Sequence, residues 1–223
     1  MTTMVIVGAG QGLGAAAARQ FGCDGFDVAL VARDQDRVDC LAADLDKDGV
    51  TARGFAADVR DPVALGAALD AAAAALGPIE VLQYSPAPHR DFMKPLLDST
   101  PADFAGPLEF SLYGVVTAVH AVLPDMRFLG RGTILLVNGG SAVRPLPARA
   151  GTSVAYAAET AYARMLHDTL AAEAIHVAQM IIPGVIAPGH PRNDPAALAR
   201  ALWAIHRERT GFRHFAGVLE GEG

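Results

Sequence analysis

Two short segments carry the residues most able to do chemistry. The first, Gly8-Ala-Gly10-Gln11-Gly12-Leu13-Gly14, follows the apolar run Met4 to Val7 and leads into the alanine-rich run Ala15 to Ala18. A strand, a turn poor in Cβ atoms and a helix start together bring backbone N–H groups against an anion at the positive end of a helix, which is how a pyrophosphate is held. Read from Gly10 the same letters also fit G-x-G-x-x-A, but the strand already ends at Val7, so the frame opening at Gly8 is preferred. The second segment, Tyr156-Ala-Ala-Glu-Thr160, has the spacing of a catalytic Tyr-x-x-x-Lys pair with threonine in the lysine's place. The tyrosine of such a pair gives or takes the proton at a carbonyl oxygen. The binding half reads as intact and the chemical half as altered.

These segments have to be positioned by regular elements, and the chain alternates strand-like and helix-like runs throughout. Strands are expected at Met4 to Val7, Val28 to Ala32, Ala52 to Ala57, Ile79 to Tyr84, Thr133 to Val137 and Val177 to Ile182, with Phe212 to Leu219 as a possible edge strand. Helices are expected up to about Cys23, from near Asp34, from Pro62 to Gly77, from about Pro101 to Phe128, from Thr152 to Ala174 and from Pro195 to Arg207. Such alternation implies right-handed crossovers and an α/β fold: one Rossmann domain over residues 1–223, a doubly wound, mostly parallel sheet with helices on both faces. The Pro/Gly/Arg-containing stretches Ser85 to Pro95, Gly139 to Gly151 and Pro183 to Asn193 all follow strands. They should gather at the carboxyl edge of the sheet, where ligands of open α/β sheets bind.

The chain has 223 residues, 52% of them hydrophobic and 19% charged, enough to bury one full core. Its net charge of −6 is spread without acidic or basic blocks, which argues against a nucleic-acid partner. No charged leader precedes an apolar stretch, and the apolar runs read as cut well short of the ~20 residues a membrane span needs, so a soluble cytoplasmic protein with no membrane partner is expected. Cys23 and Cys40 are neither a close-spaced metal pair nor a disulfide framework, and are expected as buried or half-buried thiols in a reducing compartment. His167, His176 and His206 show no metal-ligand spacing, and no metal is expected.

A fold that prefers NAD usually carries an acid at the end of the second strand. Here Ala32-Arg33 stands there, so a 2′-phosphate and hence NADP is favoured, unless Arg33 is only a solvated loop residue. Asp34 reads better as the next helix's N-cap. Asp58-Val59 ends the third strand, where a carboxylate can accept from an adenine amino group, and capping of the following helix falls to Asp61.

Taken together, the Gly8 loop, Asp58-Val59, the stretch Gly114 to Pro124, Tyr156 and Pro183-Gly184 stand in the order found in the short-chain dehydrogenase/reductase family, which the chain resembles along essentially its whole length. The Gly139-Gly140-Ser141-Ala142 turn and the later Pro-Gly-His-x-x-x-Asp-Pro ending at Pro195 resemble an atypical bacterial branch. The resemblance implies a nicotinamide cofactor held by Gly8, Gly10, Gln11, Gly12, Leu13 and Gly14, by Arg33, Asp58 and Val59, by Ser85 and Ala87, and by Pro183, Gly184 and Ile186. It also implies Tyr156 as acid/base and a homodimer or homotetramer through two long helices. The family's lysine is replaced by Thr160 and its asparagine by Ser111; its serine position falls at Gly139 or Gly140, leaving Ser141 as the nearest hydroxyl.

Neither Lys47 nor Lys94 is expected near Tyr156. Arg164 could supply a distant charge, but a structural ion pair is the simpler reading. His89 belongs to a loop expected over the site. Two functions stay open: reduction of a carbonyl on a small apolar substrate with NADP(H), using Tyr156 and Ser141, or a protein of this fold without a redox step, such as an isomerase, cyclase, dehydratase or binding subunit.

Overall fold

The computed structural model describes residues 2–217. Runs of β-branched and aliphatic residues form the strands, and the alanine- and leucine-rich runs between them form the crossover helices. In chain order these are β1 (Thr3–Val7), α1 (Leu13–Cys23), β2 (Asp27–Ala32), α2 (Gln35–Lys47), β3 (Ala52–Ala56), α3 (Pro62–Leu76), β4 (Ile79–Tyr84), α4 (Ala102–Leu108), α5 (Gly114–Leu129), β5 (Gly132–Gly139), α6 (Ala150–Leu170), β6 (Ile175–Ile182), α7 (Pro195–Glu208) and β7 (Arg213–Phe215). The strands make one sheet in the order β3-β2-β1-β4-β5-β6-β7, every neighbouring pair parallel. Helices α1, α2 and α7 pack on one face, and α3, α5 and α6 on the other. The strand order reverses between β1 and β4, and the turns that leave those two strands flank the crevice where this fold binds ligands.

Aspartates set three of the helix starts. Asp34 caps α2 through Arg37 N–H, Asp61 caps α3 through Val63 and Ala64 N–H, and Asp194 caps α7 through Ala196 and Ala197 N–H. Each satisfies first-turn donors that would otherwise need water or a ligand. Gly12, at the start of α1, makes no such side-chain bond.

Several expectations need correction. The helix expected from Pro101 to Phe128 is interrupted by one π-turn, Glu109–Tyr113. The wide turn brings the Phe110 carbonyl to the Tyr84 hydroxyl, which donates to it over 2.5 Å, and Gly114 leaves room because a Cβ there would meet the Tyr84 oxygen. Strand β5 runs two residues further than Val137, so Asn138 and Gly139 belong to the sheet. The expected edge strand is only Arg213–Phe215, with Val218 and Leu219 outside the described residues. Cys23 and Cys40 are exposed, because each lies on the solvent side of its helix. The run Ala102–Leu129 is, by length and composition alone, long and apolar enough to cross a membrane. Val115, Ala118, Val119, Val122 and Met126 from it are fully buried against the sheet, and it contains Pro107 and Pro124, so its apolar character is that of a core helix.

Candidate active site

Gly8 leaves β1 with φ of +89°, and a Cβ at this position would meet Pro86 Cα at 2.4 Å. No L side chain satisfies both conditions, so this glycine is what lets the turn after β1 pass the turn after β4. The amides of Gly8 and Ala9 donate to Val31 O at 2.9 and 3.0 Å, tying the turn to β2. Gly10 and Gly12 differ: a Cβ on either would project into open space with no heavy atom within 4 Å. That space adjoins the uncapped start of α1, whose first N–H groups have no side-chain acceptor.

Two cavities meet at this turn. One, of about 810 Å³, is lined by Gly8, Gly10, Gln11, Ala32, Arg33, Asp34, Arg37, Ala57, Val59 and Ala87 among others. Arg33 is exposed and lines it. Arg37, four residues on and not anticipated, reaches it too. Asp34 lines it but accepts from Arg37 N–H, as an N-cap should. Asp58 sits between the lining residues Ala57 and Val59 and accepts from Arg60 N–H at 2.9 Å.

The other cavity, of about 710 Å³, contains Gly8, Gly10, Gly12, Leu13 and Gly14 on one side and Ser141 and Tyr156 on the other. Ser85, Ala87, Pro183, Gly184 and Ile186 line it as well, so the turns after β1, β4, β5 and β6 converge as the strand order dictates. Ser141 is buried in a short 3-10 turn directly after β5 and does face the cavity that holds Tyr156. Ser111 is buried on the π-turn but is not part of this lining. His89 is exposed, 3.2 Å from Asp91, and also stands outside it.

Behind Tyr156 lies a chain of hydrogen bonds that sequence reading missed. Arg213 Nε donates to Gln179 Oε1 at 3.1 Å. Gln179 Nε2 then donates to Thr160 Oγ1 at 2.7 Å and to Asn138 Oδ1 at 2.9 Å, and Asn138 Nδ2 donates to Glu159 Oε1 at 3.1 Å. Arginine can only donate, so its contact fixes which end of the Gln179 amide faces inward, and that in turn fixes Asn138. Thr160 is therefore already engaged in an amide network.

Glu159 is 1% exposed and one helical turn from Tyr156. Burial without a cation pushes its carboxyl up to about 8, and the Asn138 amide only partly offsets this. Burial likewise holds the Tyr156 phenol above its ordinary value; Glu159 adds to the effect, whereas the charge of Arg149 and the Asn138 amide oppose it. The positive charge that acts on the phenol is thus Arg149. Arg164 pairs with Asp168 at 3.2 Å and lies over the Phe212 ring, a structural role. Lys94 pairs with Asp103 at 2.9 Å and Lys47 with Asp44, both away from the site. His167 and His206 bond Val177 O and Thr133 Oγ1, and among the described residues no group of three His, Cys, Asp or Glu is placed to hold a metal ion.

The chain is similar to known proteins in sequence and in fold. A family model described as short chain dehydrogenase matches residues 2–197. D-threitol dehydrogenase of Mycolicibacterium smegmatis is 34% identical over 131 residues, 59% of this chain and 50% of that protein. A fatty acyl-CoA reductase of Mycobacterium tuberculosis is 27% identical over 188 residues, 83% of this chain and 63% of that protein. The chain thus spans about half to two thirds of the length of these relatives. L-sorbose reductase of Gluconobacter frateurii, solved with NADPH and L-sorbose, superposes with a TM-score of 0.86 over 99% of this chain and 98% of that one at 22% identity. The family model covers all but the last elements, and the likeness of fold runs end to end: the chain belongs to the short chain dehydrogenase family.

Proposed function

We propose that the protein is an NADP(H)-dependent reductase acting on a carbonyl of a small substrate. The observation that carries this reading is the shared cavity, in which Tyr156 and Ser141 stand across from the glycine turn and the open start of α1. The residues fit a dinucleotide: the space that a Cβ at Gly10 or Gly12 would fill is the cradle for its phosphates, and Arg33 with Arg37 offers charge-assisted donors to a 2′-phosphate. When bound, the nicotinamide supplies the hydride. Tyr156 holds the proton that a reduced carbonyl oxygen needs, and Ser141 orients that oxygen by donating to it. Met93, Leu146 and Val185 line the remainder, a partly exposed apolar wall for the body of a substrate. Two free thiols, Cys23 and Cys40, suit a reducing, cytoplasmic setting. The test is NADPH oxidation by purified protein across a panel of aldehydes and ketones. Binding without turnover of any of them would move the assignment to a non-redox protein of the same fold.

Arg33→Ala should weaken NADPH by about 1.5–3 kcal/mol, the worth of a charge-assisted bond, and leave NADH within a factor of two. Equal affinity of the unaltered protein for NADPH and NADH, measured by fluorescence titration, would contradict the assignment. We also propose a homodimer or homotetramer through α5 and α6. Tyr113, Val154 and Met165 leave substantial apolar area exposed at these helices. Sedimentation at micromolar concentration should give at least twice the monomer mass, and a monomer would refute this.

A further inference from the structure

Among the described residues, the charged side chains that line the Tyr156 cavity are Arg144 and Arg149, and no described Asp or Glu lines it. Both arginines come from the segment between β5 and α6, whereas Arg33 and Arg37 line the other cavity, over β1, β2 and β3. The crevice therefore carries guanidinium groups at both ends, separated by the glycine turn. The phosphates of a dinucleotide are accommodated at the turn and at the Arg33 end, which leaves the Arg149 end to the second ligand.

Among the described residues Arg149 makes no side-chain hydrogen bond or ion pair, and its charge acts on Tyr156. It precedes α6 and stands seven residues before Tyr156, about 10 Å along the helix axis at 1.5 Å per residue. Thr152 and Tyr156 line the same cavity at successive turns of that face. The loop in front is held in place: Leu146 N–H donates to Ser153 Oγ at 3.0 Å, and Arg149 N–H to Leu146 O at 2.9 Å. An exposed cation beside an apolar wall of Met93 and Leu146 matches a ligand with an apolar body and an oxyanion at its far end.

Resting on the reductase reading, we propose that the substrate is an anionic carbonyl compound, its oxyanion paired with Arg149 and its carbonyl at Tyr156 and Ser141. The seven-residue separation along α6 suits an anion several bonds from the carbonyl, as in an ω-oxo acid, better than one next to it as in a 2-oxo acid. Pairing also screens the charge that acts on Tyr156, so a bound anion keeps the phenol protonated and ready to donate.

The test compares 4-oxobutanoate with its neutral methyl ester, by NADPH oxidation and, independently of turnover, by calorimetric titration of the NADPH-loaded protein with 4-hydroxybutanoate and its methyl ester. The acid should exceed the ester about 10- to 100-fold in kcat/KM, chiefly through KM, and in binding; Arg149→Gln should bring both ratios close to one, and Arg149→Lys should keep part of them. A binding preference for the acid that Arg149→Gln abolishes, without turnover of any carbonyl, supports the anion site and sinks the reductase reading. Equal binding of acid and ester, or a preference that survives Arg149→Gln, overturns the proposal.

Discussion

Tyr156→Phe should lower kcat for carbonyl reduction about 100- to 10,000-fold, the range of a lost general acid, while the Kd for NADPH stays within a factor of two. The ring remains and only the hydroxyl leaves, so packing of this 6% exposed side chain is preserved. The burial that holds the phenol above its ordinary value also keeps it protonated at neutral pH, the form that reduction uses. Alcohol oxidation needs the phenolate, and the chain offers Arg149 and the Asn138 amide to favour it. Oxidation should accordingly rise with pH well into the alkaline range while reduction does not. If Tyr156→Phe turns over the true substrate at the original rate, the tyrosine is a pocket aromatic and the non-redox assignment takes its place.

Glu159→Gln should stabilise the protein at pH 8.5 by up to about 5 kcal/mol and change little at pH 4.5, read as unfolding free energy in urea. The carboxyl titrates at about 8 in the fold against 4.5 when solvated. Below 4.5 both states are protonated and the term vanishes. Between 4.5 and 8 the unfolded chain releases a proton that the folded chain retains, so stability falls as pH rises, and above 8 the full loss, at 1.36 kcal/mol per pH unit, persists. His176 and His206 act in the opposite direction. Burial holds each at about 4, so each costs stability as pH falls below 6.5, and the comparison must be made between variants at one pH. Glutamine keeps an oxygen for Asn138 Nδ2 and has no charge to bury. Parallel stability curves for the two proteins would show that Glu159 is solvated when ionised.

The strand and helix order was legible because its signals are local: apolar runs, breakers, and aspartates one residue ahead of helices. Asp34 and Asp61 cap as their positions suggested, and Arg164 pairs with Asp168 one turn away. The glycine turn was legible for the same reason. What escaped depends on pairing across the sheet. Leu136 lies beside Gln179 in the register of β5 and β6, and the two-residue period puts Asn138 on the same face, within reach of that amide. No spacing within either segment announces this. Glu159 left a fainter trace, as an acid on the inward face of a mostly apolar helix, one turn from the tyrosine. The π-turn escaped because the hydroxyl that satisfies its carbonyl comes from Tyr84, 26 residues earlier.

Arg213 sits exposed on the outermost strand, far along the chain from the site, yet it decides between two otherwise equivalent settings of a pair of amides. Each amide can present its oxygen or its nitrogen in nearly the same volume, so core packing is indifferent to the choice. What Arg213 contributes is information rather than bulk. A change at this surface position would leave the fold intact and scramble the polarity presented to Glu159 and Tyr156. The edge of the sheet therefore takes part in setting the polarity behind the pocket without lining it.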